Sequence, residues 1–128
     1  MGKGYLIDTN AVIDYLDNKL PASGMSFMHK IVDSVPNVSV ITKIEVLRFN
    51  APAKIYQTLT GFMEDSAVLG LDTRVVEETI AICKANRIKL PDAIIAATSA
   101  VYKLKLVTRN ISDFEKLPGI KLVNPHDI

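Results

Sequence analysis

The sequence has little cysteine, few aromatic residues and no excess charge of either sign. Its only cysteine, Cys83, excludes a disulfide within the chain and a zinc site built on several cysteines. Lysine and arginine total 15 and aspartate and glutamate 14, so the net charge is +1 and no overall basic field attracts a polyanion. Any nucleic-acid contact must therefore come from a local patch.

Long hydrophobic runs are also missing. No apolar run approaches the ~18 residues that a membrane span needs, and a charge interrupts the first apolar stretch, so we expect no membrane association and a cytoplasmic protein. Aromatic residues make up 6% and are scattered, without the paired set that base stacking uses. The 48% of hydrophobic residues nevertheless excludes a disordered chain, and 128 residues predict one domain over 1–128. Such an apolar chain fits either a surface buried against a partner or strands buried on both faces.

Short β-type runs alternate with helical stretches along the whole chain. Strands are predicted at 5–7, 38–41, 67–71, 105–108 and 120–123, and helices at 11–16, 26–35, 42–49, 52–64, 73–86, 91–103 and 112–116. Val76, Ile80 and either Cys83 or Lys84 are predicted to form a buried stripe on one of these helices. Alternation of strands and helices predicts an α/β fold, a parallel sheet with helices on both faces. Ligands of such folds bind at the carboxyl ends of the strands.

Four acids lie just past a strand or at the start of a helix: Asp8, Glu45, Asp92 and Asp113. Each could be a simple helix cap, and Thr42 to Glu45 matches a capping box. Together they are harder to explain as caps, because caps have no reason to converge at one edge of a sheet. Carboxylates gathered there repel one another unless a cation neutralises them, and oxygen ligands select Mg²⁺ or Mn²⁺. A cation in such a site suits phosphoryl transfer.

Several polar residues stand beside these acids. Asn10, Thr108 and Asn110 could orient a water or a carboxylate, and Arg109 is either a contact for a scissile phosphate or an exposed guanidinium. We interpret both histidines, His29 and His126, as solvated or packed, Asp14 and Asp17 as solvated helix acids, and Cys83 as a core residue.

Three segments resemble the PIN-domain family, and within it the VapC-type toxins of toxin–antitoxin pairs. They are Leu6 to Asp14, Ile88 to Thr98 and Leu106 to Phe114, and Glu45 stands where the family has its second acid. The resemblance implies a three-layer α/β/α fold with a five-stranded parallel sheet in the order 3-2-1-4-5. It also implies a Mg²⁺- or Mn²⁺-dependent endoribonuclease in which Asp8, Glu45, Asp92 and Asp113 form the acidic metal-binding set. Its expected partners are an RNA substrate, a cognate antitoxin and a second copy of the chain.

Two other functions are compatible with parts of the pattern. A haloacid-dehalogenase-like phosphohydrolase also begins with a strand followed by Asp, but it needs a second Asp where Asn10 stands. A non-catalytic PIN-like module that works through protein contacts is the other alternative, and the four acids argue against it.

Overall fold

The computed structural model describes residues 4–48 and 50–128. Within these residues two helices follow each of the first three strands, and one helix separates the last two strands. They are β1 (Tyr5–Ile7), α1 (Thr9–Leu16), α2 (Ala22–Asp33), β2 (Asn37–Ser39), α3 (Val40–Leu47), α4 (Ala53–Glu64), β3 (Ala67–Leu69), α5 (Thr73–Ala85), α6 (Leu90–Tyr102), β4 (Lys105–Val107), α7 (Ile111–Phe114) and β5 (Leu122–Val123).

The strands form one parallel sheet in the order β3-β2-β1-β4-β5, which confirms the predicted order. Strand β1 lies in the middle, and its Leu6 pairs with Asn37 of β2 on one side and with Leu106 of β4 on the other. Because all pairs are parallel, the carboxyl ends of β1, β2 and β4 meet at the same edge of the sheet.

The core has two halves, one on each face of the sheet. Ile7 and Val107 point to the half built with α1 to α4, whereas their neighbours Leu6 and Leu106 point to the half built with α5 to α7. All four side chains are at most 1% exposed. The central strands are therefore buried on both faces, which explains their continuous apolar sequence. Helix α6 is buried from Ala93 to Ser99, as its apolar composition predicts.

The boundary between β2 and α3 differs from the prediction. Strand β2 ends at Ser39, and the predicted strand residues Val40 and Ile41 already belong to the helix. The Ser39 hydroxyl accepts a hydrogen bond from the Ile41 N–H at 3.1 Å and so caps the helix. The capping box considered as an alternative for Thr42 and Glu45 does not form, because Ser39 caps the helix. Val40 and Ile41, whose β-branched side chains suggested a strand, are the first two residues after this cap. Phe49, the predicted end of this helix, lies outside the described residues.

The buried face of α5 is also not the predicted one. Val75, Thr79 and Ile82 are buried, whereas Val76 is 41% and Ile80 50% exposed and Cys83 is exposed as well. The prediction of a core Cys83 is therefore wrong. The predicted stripe and the buried one both have helical spacing, and they are shifted by one residue along the chain. Smaller differences occur elsewhere: α2 begins at Ala22 and ends at Asp33, and β3 and β5 are shorter than predicted.

Candidate acidic site at the carboxyl edge of the sheet

Asp8 stands directly after β1 and is both a helix cap and a buried carboxylate. Its Oδ1 accepts a hydrogen bond from the Thr9 N–H at 2.8 Å and so caps α1. Its Oδ2 accepts hydrogen bonds from the Thr108 hydroxyl at 2.8 Å and from the Asn10 amide at 3.1 Å. The side chains of Asn10 and Thr108, which follow β1 and β4, thus hold the carboxylate in one orientation.

Glu45 projects from α3 towards the same edge of the sheet. Its Oε1 accepts a hydrogen bond of 2.6 Å from the hydroxyl of Thr9, the residue next to Asp8. The Thr9 hydroxyl also lies 3.2 Å from the hydroxyl of Thr42 on α3. Thr9 therefore links the start of α1 to α3. Sequence reasoning missed this role, although its position between Asp8 and Asn10 was a signal for it.

Asp92 lies in the first turn of α6, behind Pro91, which suits the first turn of a helix. Asp113 lies in α7, where its Oδ2 accepts a hydrogen bond from the Asn110 amide at 2.8 Å. The Asn110 N–H in turn donates to the Thr108 hydroxyl oxygen at 3.0 Å. Asn110 therefore connects the Asp113 carboxylate, through Thr108, to the carboxylate of Asp8.

The four acids share one electrostatic environment. Burial raises the pKa of Asp8 from 3.8 to about 6, and the negative charges of Asp92 and Glu45 add to the rise, while hydrogen bonds from Thr108 and Thr9 oppose it. Burial also raises the pKa of Asp92, followed by the charges of Asp113 and Glu45, with Lys89 acting in the opposite direction. Each acid thus acts on at least one of the others, and repulsion is the cost of bringing them together.

The donor set suits a hard divalent cation. All four candidate ligands are carboxylates, and the neutral neighbours Asn10, Thr108 and Asn110 hold two of them, Asp8 and Asp113, by hydrogen bonds, as second partners of metal ligands commonly do. In the described part of the chain, no three His, Cys, Asp or Glu side chains are gathered tightly enough to hold a metal as they stand. A bound cation would therefore have to draw the acids together against their mutual repulsion.

Arg109 binds an acid outside this set. Its Nη1 contacts both carboxylate oxygens of Asp14, at 3.1 and 3.0 Å, and its backbone N–H donates to Asn10 Oδ1 at 3.1 Å. His126 Nε2 lies 2.9 Å from the same carboxylate. Asp14 is only 3% exposed, so the prediction of a solvated acid is wrong for this residue. It holds for Asp17, whose side chain is 57% exposed. The contact of Arg109 with a phosphate stays a prediction.

The two histidines have the predicted modest roles. His29 is exposed on α2, and its Nδ1 lies 2.8 Å from the Tyr15 hydroxyl. His126 is partly buried against Asp14. Neither histidine contacts any of the four acids through a hydrogen bond.

Comparison with known proteins identifies the family and the fold. The family model for the PIN domain matches residues 5–120, so the chain belongs to the PIN-domain family. No curated protein matches the sequence. No helix among the described residues is long and apolar enough to cross a membrane.

Several solved structures share the fold over nearly their whole length. A toxin–antitoxin complex from Klebsiella pneumoniae is 28% identical with a TM-score of 0.74, and covers 97% of this chain and 99% of its own. DNA-bound VapBC from Salmonella typhimurium is 27% identical with a TM-score of 0.80, and covers 94% of this chain and 97% of its own. FitAcB from Neisseria gonorrhoeae, 21% identical with a TM-score of 0.75 and covering 97% and 99%, shares the fold alone.

Proposed function

We propose that the protein is a metal-dependent endoribonuclease and the toxin of a VapBC-type toxin–antitoxin pair. The observation that supports the proposal is electrostatic: the charges of Asp92 and Glu45 act on Asp8, and those of Asp113 and Glu45 act on Asp92, although the four acids belong to separate parts of the chain. The membership of the chain in the PIN-domain family supports the same activity.

Asp8, Glu45, Asp92 and Asp113 would hold the Mg²⁺ or Mn²⁺ ion. When bound, such an ion activates a water and stabilises negative charge on the phosphate oxygens. The chain itself orients the carboxylates: Thr108 and Asn10 hold Asp8, Thr9 holds Glu45, and Asn110 holds Asp113. These contacts orient three of the four carboxylates before the RNA arrives, so less of the binding energy is lost on ordering side chains.

The proposed partners are an RNA substrate, a cognate antitoxin protein and a second copy of the chain, in the cytoplasm. The Klebsiella pneumoniae and Salmonella typhimurium relatives were solved as toxin–antitoxin complexes, and this supports an antitoxin for the present chain. Sedimentation of the purified protein tests the homodimer, and co-expression with the neighbouring reading frames tests the antitoxin.

The activity is tested by incubating a panel of structured RNAs with the purified protein, in Mg²⁺ or Mn²⁺ and in EDTA. We expect cleavage only with the metal, and its loss in Asp92→Asn. Asp65→Asn, at the exposed end of α4, removes an equal charge outside the site and should cleave like the wild type. Cleavage that persists in Asp92→Asn, or in EDTA, would contradict the proposal.

The same samples separate the two alternatives. Hydrolysis of p-nitrophenyl phosphate without RNA cleavage would favour a phosphohydrolase. Absence of both activities, together with no binding of Mn²⁺ at millimolar concentration, would favour a non-catalytic interaction module.

A further inference from the structure

A cleft of about 330 Å³ opens beside two of the four acids. Its lining residues come from the segment between α5 and α6, from the start of α6 and from the region of α7: Arg87, Ile88, Lys89, Asp92, Asp113 and Lys116. The cleft is much larger than a metal ion requires, and three of its six lining residues are cationic. Sequence reasoning did not single out any of these three cations.

Among the described residues, none of these three cations forms an ion pair with an acid. Within residues 4–48 and 50–128, ion pairs join only Lys19 to Asp17 and both Arg109 and His126 to Asp14. The Lys116 ammonium donates instead to the backbone carbonyl of Arg87, which brings the two walls of the cleft together. The charge of Lys89 reaches the acidic site, because it acts to lower the pKa of Asp92.

The balance of charge in the cleft favours an anion without any metal, and more strongly once the site is loaded. Three cations face two carboxylates, in a chain whose overall charge is only +1. A divalent cation held by Asp92 and Asp113 would neutralise their charge and leave the three basic side chains uncompensated. Arg109 is differently placed, since its guanidinium is already bound to the buried Asp14.

We propose that Arg87, Lys89 and Lys116 bind the phosphate backbone of the RNA next to the acidic site. This proposal rests on the proposed function. It adds that the RNA lies along the side of the acidic site formed by α7 and the connection between α5 and α6. No aromatic side chain is among the described residues that line the cleft, so base stacking contributes little and the contacts are to phosphates. Binding here is therefore independent of base sequence and strongly dependent on salt.

The test measures binding separately from cleavage. Anisotropy of a fluorescein-labelled oligouridylate of about ten nucleotides, within the usual range for single-strand sites, is recorded in EDTA over a range of KCl concentrations. We expect Lys89→Gln and Lys116→Gln each to weaken binding about three- to tenfold at low salt. Each should also lower the slope of log affinity against log salt by about 0.7, the value for one lost phosphate contact on a single strand.

Lys103→Gln is the matched control, because Lys103 ends α6 and lies just before β4, at the opposite edge of the sheet. It should bind like the wild type. Unchanged affinity and slope in Lys89→Gln and Lys116→Gln would overturn the cleft, as would a wild type that does not bind the oligouridylate.

Cleavage by the same variants distinguishes this proposal from the activity itself. With Mn²⁺ we expect both lysine variants to raise KM and Lys116→Gln to leave kcat nearly unchanged, whereas Asp92→Asn lowers kcat. If the lysine variants lose affinity but none of the proteins cleaves RNA, RNA binding in the cleft is supported and the proposed ribonuclease activity is contradicted. If all lysine variants bind and cleave like the wild type while Asp92→Asn is inactive, the ribonuclease activity is supported and RNA binding in the cleft is contradicted.

Discussion

The hydroxyl of Thr108 donates to Asp8 Oδ2 at 2.8 Å, across 100 positions of sequence. The two residues directly follow the neighbouring strands β4 and β1, and the N–H of Asp8 donates to the carbonyl of Val107 at 2.9 Å. The parallel pairing of the two central strands therefore sets the distance between them. Orientation of the Asp8 carboxylate is a consequence of the sheet itself.

Removal of the Thr108 hydroxyl should weaken metal binding. Thr108→Val keeps the shape but removes a hydrogen bond that lowers the pKa of Asp8, so the proton should compete better with the cation. We expect the affinity for Mn²⁺, measured by calorimetry, to fall more at pH 6 than at pH 8. The unfolding free energy should also fall by about 1–3 kcal/mol, because Asn10 and Asn110 lose a buried partner.

Thr98→Val is the control for this change. Thr98 is equally buried, but its hydroxyl donates only to the Ile94 carbonyl within α6. Its Mn²⁺ affinity should match that of the wild type at both pH values. An equal loss in the two variants would assign the effect to general destabilisation.

The buried charge of Asp8 should make the metal-free protein less stable as the pH rises. The folded pKa is about 6 against 3.8 in the unfolded chain, so the stabilising contribution is complete below pH 3.8 and is lost as the pH rises through 6. The rise corresponds to about 3 kcal/mol. In EDTA we expect Asp8→Asn to be more stable than the wild type at pH 8, by about 1–3 kcal/mol, and the advantage to vanish near pH 4.

Urea denaturation at several pH values measures this difference. Asp65→Asn, whose side chain is exposed, should show no comparable dependence on pH. A difference between Asp8→Asn and the wild type that stays constant from pH 4 to pH 8 would show that the carboxylate of Asp8 does not carry the burial cost.

Asp14 and Asp17 offer a matched pair on or next to α1. The Asp14 carboxylate is 5% exposed and holds both Arg109 and His126, whereas Asp17 is 57% exposed and contacts Lys19. Asp14→Asn should lower the unfolding free energy by about 2–4 kcal/mol. Asp17→Asn should change it by no more than about 0.5 kcal/mol.

A double-mutant cycle with Arg109→Gln shows how much of the loss belongs to the ion pair. We expect Asp14 and Arg109 to couple by about 1–2 kcal/mol in thermal or urea unfolding. Additive effects of the two substitutions would contradict the pair. Because the N–H of Arg109 also binds Asn10, loss of the pair should disturb the turn that carries Thr108 and Asn110.

Three of the four acids stand where the sequence placed them: Asp8 directly follows β1, and Asp92 and Asp113 lie in the first turns of α6 and α7. Glu45 lies in the second half of α3, and the role of the four acids as metal ligands stays a prediction. Burial on one face of a helix was harder to predict. Val75 and Val76 are neighbours, and each begins an apolar stripe of helical spacing on α5, so the pattern alone could not say which one is buried. The burial of Asp14 could not be predicted from the neighbouring sequence either, because its partners Arg109 and His126 are 95 and 112 positions away.

Any side chain at Gly24 should disturb the packing of α2 against the C-terminal segment. A Cβ on Gly24 would lie 2.0 Å from the Pro125 carbonyl oxygen and 3.0 Å from its carbon, and backbone atoms cannot rotate away as a side chain can. Alanine favours a helix over glycine by about 0.5–1 kcal/mol, but the collision outweighs this gain. We expect Gly24→Ala to lower the unfolding free energy by about 1–3 kcal/mol.

The same substitution at Gly61 in α4, Gly61→Ala, should raise the unfolding free energy instead of lowering it. A Cβ there meets nothing within 4 Å, so the helix preference of alanine acts alone. This variant should be more stable than the wild type by about 0.5–1 kcal/mol in urea denaturation followed by circular dichroism.

Because Pro125 precedes His126, displacement of the C-terminal segment in Gly24→Ala should also break the contact of His126 with Asp14. The cost of His126→Gln should then be smaller in the Gly24→Ala background than in the wild type, and an equal cost in both would mean that the segment has not moved.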